Sequence, residues 1–455
     1  MPSGRQALPA ELPGLLVHGA MEIATLAGGV RRGSAQAEIG LLRARDPGAA
    51  AGRGGPALAA YEGRIVAVGQ LDEVERQLAE LGVEEGRVTR IDAAAGTVTP
   101  GLVDPHTHLL FAGTRHAEVQ LRQLGHGYLE ILAAGGGILQ TVRETRAASD
   151  EQLFGTGRRW LYELLSHGVT TAEVKTGYGL DSATELRLLA LAGRLGAEGP
   201  VEVIPTFLGA HAVAPEFRDR PDAADAYLAT VIDEQLPQVA EQGIARFCDV
   251  FCERGVFDQD GSRRLLQAAQ NLGLAARLHA DEIEPSGGAE LAAEIGAFSA
   301  DHLGAVSAAG IDALARAAES GRPVVATLLP ATSFFTLKDR YAPGRTLIER
   351  GVPVALGSDF NPGSSPTPNA QLVLSLACLR LGLSPAEALA AATINAAAAL
   401  GIEESQGSLE IGKHADIVLW EPESHELLPY WLGADLVRTV IKRGRQVYVN
   451  RRTDG

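Results

Sequence analysis

Cysteine is scarce in this 455-residue chain. Only Cys248, Cys252 and Cys378 occur, an odd set that does not suit the disulfide framework of a small secreted domain. Cys248 and Cys252 share the run FCDVFC. Read as a strand, that run separates them by about 13 Å, beyond disulfide reach, so both read as small buried hydrophobes. Long apolar runs are missing too: there is no 18-residue uncharged apolar run, and no basic segment leads into a clean apolar one at the N-terminus. The expectation is a cytoplasmic protein without membrane contact. Positive charge is outnumbered, 40 Lys and Arg against 56 Asp and Glu, for a net charge of −16. Such a surface disfavours nucleic acid or an anionic membrane as partner, and an anionic substrate would need a local Arg or metal. Phosphate-binding glycine loops are also lacking. AGGGILQTVRETR (134–146) has three glycines but neither G-x-x-x-x-G-K-[ST] nor G-x-G-x-x-G, and reads as a flexible loop.

What is present is an ordinary globular composition, 46% hydrophobic and 21% charged, in a chain long enough for a large core. The two ends resemble each other. YEGRIVAVGQ (61–70), GSLEIGKHADIVLW and RTVIKRGRQVYVN read as short strands between Gly turns, while RDPGAAAGRGGPAL (45–58) reads as a surface loop. Residues 1–97 and 401–455 are therefore expected to form one small composite β-sandwich domain. Between them, 98–400 alternates β-rich runs with helical ones. Eight runs stand out: 97–109, 168–177, 201–212, 245–253, 274–282, 297–303, 323–330 and 353–360. The intervening SRRLLQAAQNLG and ATELRLLALAGRLG show i, i+3, i+4 apolar spacing and end at Gly. Eight β–α units imply an α/β fold, a (β/α)8 TIM-type barrel.

Most of these runs end in a group able to do chemistry: His106 and His108, Lys175, His211, Glu253, His279, His302 and Asp359. Barrel enzymes build their sites at that end of the strands. In VDPHTHLLFAGTRHAEVQ (103–120), His106 and His108 are two residues apart, so on a strand they face one side. With His279 from the fifth run and Asp359 from the eighth, three imidazoles and a carboxylate suit one zinc or iron ion with a position left for water.

The segments TPGLVDPHTH, HADE, SADH and GSDFNPGSSP resemble the metal-dependent amidohydrolase superfamily. KTGYG, TFLGAHAV and SDFNPGSSP together are more specific, and resemble its imidazolonepropionase family over about 97–420. That resemblance implies hydrolysis of 4-imidazolone-5-propanoate to N-formimidoyl-L-glutamate by a metal-activated water, in L-histidine degradation. It implies metal binding by His106, His108, His279 and Asp359, with Asp359 also taking a proton. It implies acid/base work by Glu282, with His302 beside the reacting water and His211 bonded to the substrate carbonyl. It places Arg115 on the substrate carboxylate, Tyr178 on substrate or product, and Asn361, Gly363 and Ser364 on the product's glutamate part. It also implies a homodimer.

Other readings stay open. Arg115 could instead form a surface salt bridge with Glu118, its i+3 neighbour. Neither Glu118 nor His116, which reads as solvent-facing, is taken as touching metal or substrate. His126 and His167 read as structural, and His18, His414 and His425 fall in the terminal domain. Lys175 ends the second run, whereas the carboxylated lysine of two-metal amidohydrolases ends the fourth strand, so it reads as an ion-paired residue near Tyr178 in a one-metal site. Another cyclic-amide hydrolase or an aminohydrolase would share the metal set, but a neutral base would not need Arg115. A non-catalytic scaffold on this fold should have lost ligands, and none of the four is missing.

Overall fold

The computed structural model describes residues 14–44, 55–83, 85–125 and 136–450; His126 and the first two residues of the 134–146 stretch lie outside these. Eight parallel strands form the central sheet: β1 (Leu102–Asp104), β2 (Val169–Lys175), β3 (Glu202–Ala210), β4 (Phe247–Cys252), β5 (Ala275–Ala280), β6 (Ser299–His302), β7 (Val325–Leu328) and β8 (Val354–Leu356). Their order in the sheet is their order in the chain. Closure occurs just past the ends of β1 and β8: Thr107 bridges Phe360, Asp359 N donates to His106 O at 3.0 Å, and His108 N donates to Phe360 O at 2.9 Å. The TIM-type barrel expected from the eight runs is the fold observed.

β2 shows why these runs are strands. VTTAEVK is rich in β-branched residues and all seven side chains are buried, Glu173 and Lys175 included. The helices outside follow their caps. Asp258 accepts from Gly261 N at 2.7 Å to start Gln259–Asn271, which buries Leu265, Leu266 and Ala269, and Gly273 (φ +88°) follows its end. Gly196, expected to end the helix after β2, does not. Ser182–Glu198 runs past it to Gly199, and Gly196 instead serves packing, since a Cβ there would come within 3.0 Å of Val203.

Two further expectations change. Run 97–109 is not one strand: Thr97–Pro100 belongs to a sheet of the terminal domain, and only Leu102–Asp104 enters the barrel. The break falls at Gly101, where a Cβ would lie 2.2 Å from Thr170 Oγ1. Of the described part of the 134–146 stretch, only Gly136 and Gly137 lie outside a helix. Ile138–Ala147 is helical and buries Ile138, Leu139 and Val142, its apolar i, i+1, i+4 set, while Gly137 at φ +67° precedes it.

The chain termini build two sheets. One pairs Arg64–Gln70, Pro56–Tyr61, Gly14–His18 and Val88–Asp92. The other pairs Arg445–Val449, Val437–Lys442, Ile417–Trp420, Thr97–Pro100, Glu22–Ala24 and Leu41–Arg43. Pro56–Tyr61 is thus a strand, though its first residues read as loop; Ala57 and Ala59 are buried with Leu16, which small side chains permit. Leu15, Val17, Leu58, Ile65, Val98 and Leu419 fill the space between the sheets. Trp420, fully buried, packs with the barrel's hydrophobic core and donates Nε1–H to Thr99 Oγ1 at 2.8 Å. Among the described residues no helix is long and apolar enough to cross a membrane.

Candidate active site

His106 and His108 sit in the extended segment immediately after β1, not within it, and the pairing with Phe360 and with Lys175 N (3.0 Å to Thr107 O) holds that segment on both sides. His279 lies in β5 and Asp359 follows β8. The four converge. His106 Nε2 is 3.2 Å from His108 Nε2, and His279 Nε2 is 3.3 Å from His108 Nε2. Asp359 Oδ1 is 3.6 Å and 3.4 Å from the first two nitrogens. A tetrahedral ion with bonds of about 2.05 Å needs nitrogen neighbours about 3.3 Å apart, and the His106–His108 and His108–His279 pairs have that spacing. The ligating atoms of His106, His108 and His279, and those of His106, His302 and Asp359, lie within 4.8 Å of one another, so each of these groups could hold a metal. Chemistry agrees: burial depresses the pKa of His106 and His108 well below the usual histidine value, reinforced by Lys175 for the first and His211 for the second. Two neutral rings then aim nitrogens at one point, and His106 Nδ1 donates to Asp301 Oδ2 at 2.7 Å, leaving its Nε2 as a lone pair.

Backbone strain accompanies this arrangement. Asp281, His302 and Asp359, after or at the ends of β5, β6 and β8, all have positive φ (50°, 72° and 52°). Each costs on the order of 1–3 kcal/mol and is held by the surrounding structure. Asp281 is held by three N–H donors, from Ser286, Gly288 and Ala289. Asp359 is held by Thr332, whose hydroxyl donates to Oδ2 at 2.6 Å while Oδ1 faces the histidines. Burial pushes the Asp359 carboxyl up to about 7.

Beside the cluster, His302 Nε2 lies 3.8 Å from Glu282 Oε2, and Lys338 Nζ donates to Glu282 Oε1 at 3.0 Å. Burial would raise Glu282, but His302 and Lys338 outweigh it and hold the carboxyl at about 2. Burial lowers His302 to about 4. His211 follows β3 and stacks on His108, ring centroids 4.8 Å apart at 17°. Its Nδ1 is 3.2 Å from Gly177 O, which has no proton to offer, so Nδ1 is the donor and neutral His211 presents Nε2 as an acceptor. Burial lowers it to about 3.

A cavity of about 390 Å³ joins this cluster to Arg115, Tyr178, Asn361 and Ser364. Larger clefts exist, one of about 880 Å³ beside Trp160 and Phe360, but among the described residues none gathers such a set of ligating groups. Arg115 and Glu118 do pair, Nε and Nη2 donating to the two carboxylate oxygens at 2.9 Å each, yet the pair is buried rather than on the surface. Glu118 also accepts from Arg122 Nη2 (3.1 Å) and Gly137 N (2.7 Å), so it organises this end of the cavity. Asn361 spends its amide on the loop: Oδ1 accepts from Gly363 N and Ser364 N, and Nδ2 donates to Asp359 O. Gly363 does not line the cavity. It backs Arg115, where a Cβ would fall 2.0 Å from Nη1, and its carbonyl accepts from Arg122 at 2.9 Å.

His116 is exposed, as expected, and His425 is buried against Glu22 in the terminal domain. Lys175 is ion-paired with Glu173 and Asp249 inside the barrel. Glu253 is structural: it accepts from Ile283 N, Glu284 N and Ser286 Oγ, shaping the loop that carries Glu282. Sequence reasoning missed Thr332, Lys338, Arg122, Asp249, Asp301 and Arg277. For Asp249, Asp301 and Arg277 a signal existed, since each is a charge inside a run read as a buried strand.

Residues 97–447 match the model of the amidohydrolase family. The imidazolonepropionase of Symbiobacterium thermophilum is 51% identical over 435 residues, 95% of this chain and 97% of that one. That of Geobacillus kaustophilus is 52% identical over 385 residues, 85% and 88% of the two chains. Among solved structures, E. coli guanine deaminase superposes with a TM-score of 0.67 at 15% identity, covering 96% of this chain and 99% of that one, which is a likeness of fold. A zinc-bound adenosine deaminase from Xanthomonas campestris gives 0.65 at 19%, covering 97% and 94%. The chain belongs to the amidohydrolase family, a family of metal-dependent hydrolases acting on C–N bonds, and within it to the imidazolonepropionases.

Proposed function

We propose that this chain hydrolyses 4-imidazolone-5-propanoate to N-formimidoyl-L-glutamate, with one zinc or iron ion held by His106, His108, His279 and Asp359. The observation that carries the substrate class is one cavity with the imidazole–carboxylate cluster at one end and the Arg115–Glu118 pair at the other. A metal bound there would bring a coordinated water's pKa toward neutrality and so supply a nucleophile.

The residues then divide the work. Arg115, held by Glu118 and backed by Gly363, binds the propanoate, and Tyr178 and Ser364 line the same cavity, Tyr178 beside the His108 and His211 rings. Asp359 takes a proton from the attacking water at Oδ1 while Thr332 keeps Oδ2 occupied. Water adds to the ring carbonyl carbon, the ring C–N bond breaks, and the carbonyl carbon becomes a carboxylate. Glu282, ionised at rest, takes the second water proton, released as the added hydroxyl becomes part of the carboxylate, and delivers it to the departing ring nitrogen with His302 Nε2 alongside to relay it, while the proton on Asp359 leaves to solvent. His211 differs from the role the resemblance implies. With Nδ1 donating to Gly177 O, the neutral ring accepts a substrate ring N–H; it donates to the carbonyl oxygen only as imidazolium. Asn361 and Gly363 act on the loop and on Arg115 more directly than on product.

The test is a substrate comparison. Freshly prepared 4-imidazolone-5-propanoate is expected to turn over, and its propanamide analogue to lose most of kcat/KM. Faster release of ammonia from a neutral purine or pyrimidine would move the chain to the aminohydrolase alternative.

A further inference from the structure

Beneath the imidazole cluster, inside the barrel, lie five charged side chains with no solvent exposure: Glu173 and Lys175 on β2, Asp249 on β4, Arg277 on β5 and Asp301 on β6. Isolated charges in such a place are costly, so each needs partners. Lys175 Nζ lies 2.7 Å from Asp249 Oδ2, 2.8 Å from Glu173 Oε2 and 3.7 Å from Asp301 Oδ2. Arg277 reaches Glu173 and Asp301 at 3.1 and 3.0 Å. Two of the carboxylates continue upward to the cluster, Asp301 to His106 Nδ1 and Asp249 to His279 Nδ1 at 3.1 Å.

Asp249 is the more demanding of these two. Its Oδ1 accepts from Val250 N at 2.7 Å and from His279 N at 3.1 Å. Its Oδ2 accepts from Lys175 Nζ. His279 Nδ1 has Asp249 Oδ2 3.1 Å away, a close contact rather than an aligned hydrogen bond, and no hydrogen-bond partner reaches it among the described residues. Both oxygens therefore face donors, and only a carboxylate accepts on both sides. An asparagine would have to turn its NH2 either on two backbone N–H groups or on Lys175 and His279. The second choice is the less crowded by donors, and it asks His279 Nδ1 to accept. The ring proton would then sit on Nε2, the nitrogen that faces His108.

We infer that Asp249 is a positioning residue that holds His279 with its proton on Nδ1 and Nε2 free to ligate, and that Lys175 fixes Asp249 in that task. The inference rests on the metal-ligand reading above. It gives the buried lysine of KTGYG a role, and one that requires no second metal.

Two measurements on the full chain test it. In the zinc-loaded protein labelled with 15N-histidine, the His279 ring, identified by the resonances lost in H279Q, is expected to show a protonated Nδ1 and a zinc-bound Nε2. Coordination through Nδ1 would overturn the inference, and this readout needs no Asp249 variant to fold. In D249N, zinc affinity measured by competition with a chromophoric chelator is expected to fall 10- to 100-fold, the usual cost of losing such a partner. A D249N affinity within about threefold of wild type overturns this inference alone. A wild-type chain that binds no zinc or iron overturns the ligand set as well.

Discussion

Gly363→Ala is a one-carbon change that reaches the substrate end of the cavity through a single neighbour. The added Cβ would lie 2.0 Å from Arg115 Nη1 and 2.2 Å from Cζ. Ordinary contacts are about 3.5 Å, so the guanidinium must retreat by about 1.5 Å or the loop must open. Retreat is opposed by the two 2.9 Å bonds to Glu118. A displaced Arg115 loses a charge-assisted contact to the propanoate, about 1.5–3 kcal/mol, which is roughly 10- to 150-fold in kcat/KM. The loss is expected mainly in KM, because the tail is bound in ground and transition states alike. The assay is steady-state disappearance of 4-imidazolone-5-propanoate absorbance. Gly155→Ala is the control: it is an exposed glycine inside the helix Asp150–Ser166 with nothing within 4 Å of its Cβ. It should leave kinetics unchanged and stabilise the fold by about 0.5–1 kcal/mol. Wild-type KM and kcat in Gly363→Ala would remove Arg115 from the substrate site.

Arg115→Ala should raise KM more than Gly363→Ala does, and unchanged constants would exclude the clamp. Asp359→Asn should abolish turnover; near-normal kcat would contradict the ligand set. Thr332→Val removes the only hydroxyl donated to Asp359 Oδ2 among the described residues, and should weaken metal affinity about tenfold in chelator competition, an effect absent if that bond is incidental. Trp420→Ala should cost about 3–5 kcal/mol in urea unfolding, since the ring is fully buried between terminal sheet and barrel; a loss under about 1 kcal/mol would show that this packing matters little.

The barrel was legible because parallel strands buried on both faces leave continuous apolar runs, and most of these runs ended at a residue with chemistry. The metal cluster was legible for the same reason, since His279 and Asp359 stand at strand ends whose neighbours follow from barrel order. Gly101 was not read as a break, because what it avoids is Thr170, a residue from the next strand. Glu118 was set aside because i+3 spacing to Arg115 describes a surface pair as well as a buried one, and only tertiary packing tells them apart. Lys338 and Thr332 come from the segment after β7, which carried no motif. Asp249 left a trace in FCDVFC, a carboxylate amid buried apolar residues, yet its partner His279 lies on another strand.

The most direct test of the account measures turnover of 4-imidazolone-5-propanoate and metal content on one sample. The prediction is one equivalent of zinc or iron per chain, activity lost with a chelator, and activity restored on returning the metal. Two equivalents per chain, or one bound equivalent without turnover, would contradict it.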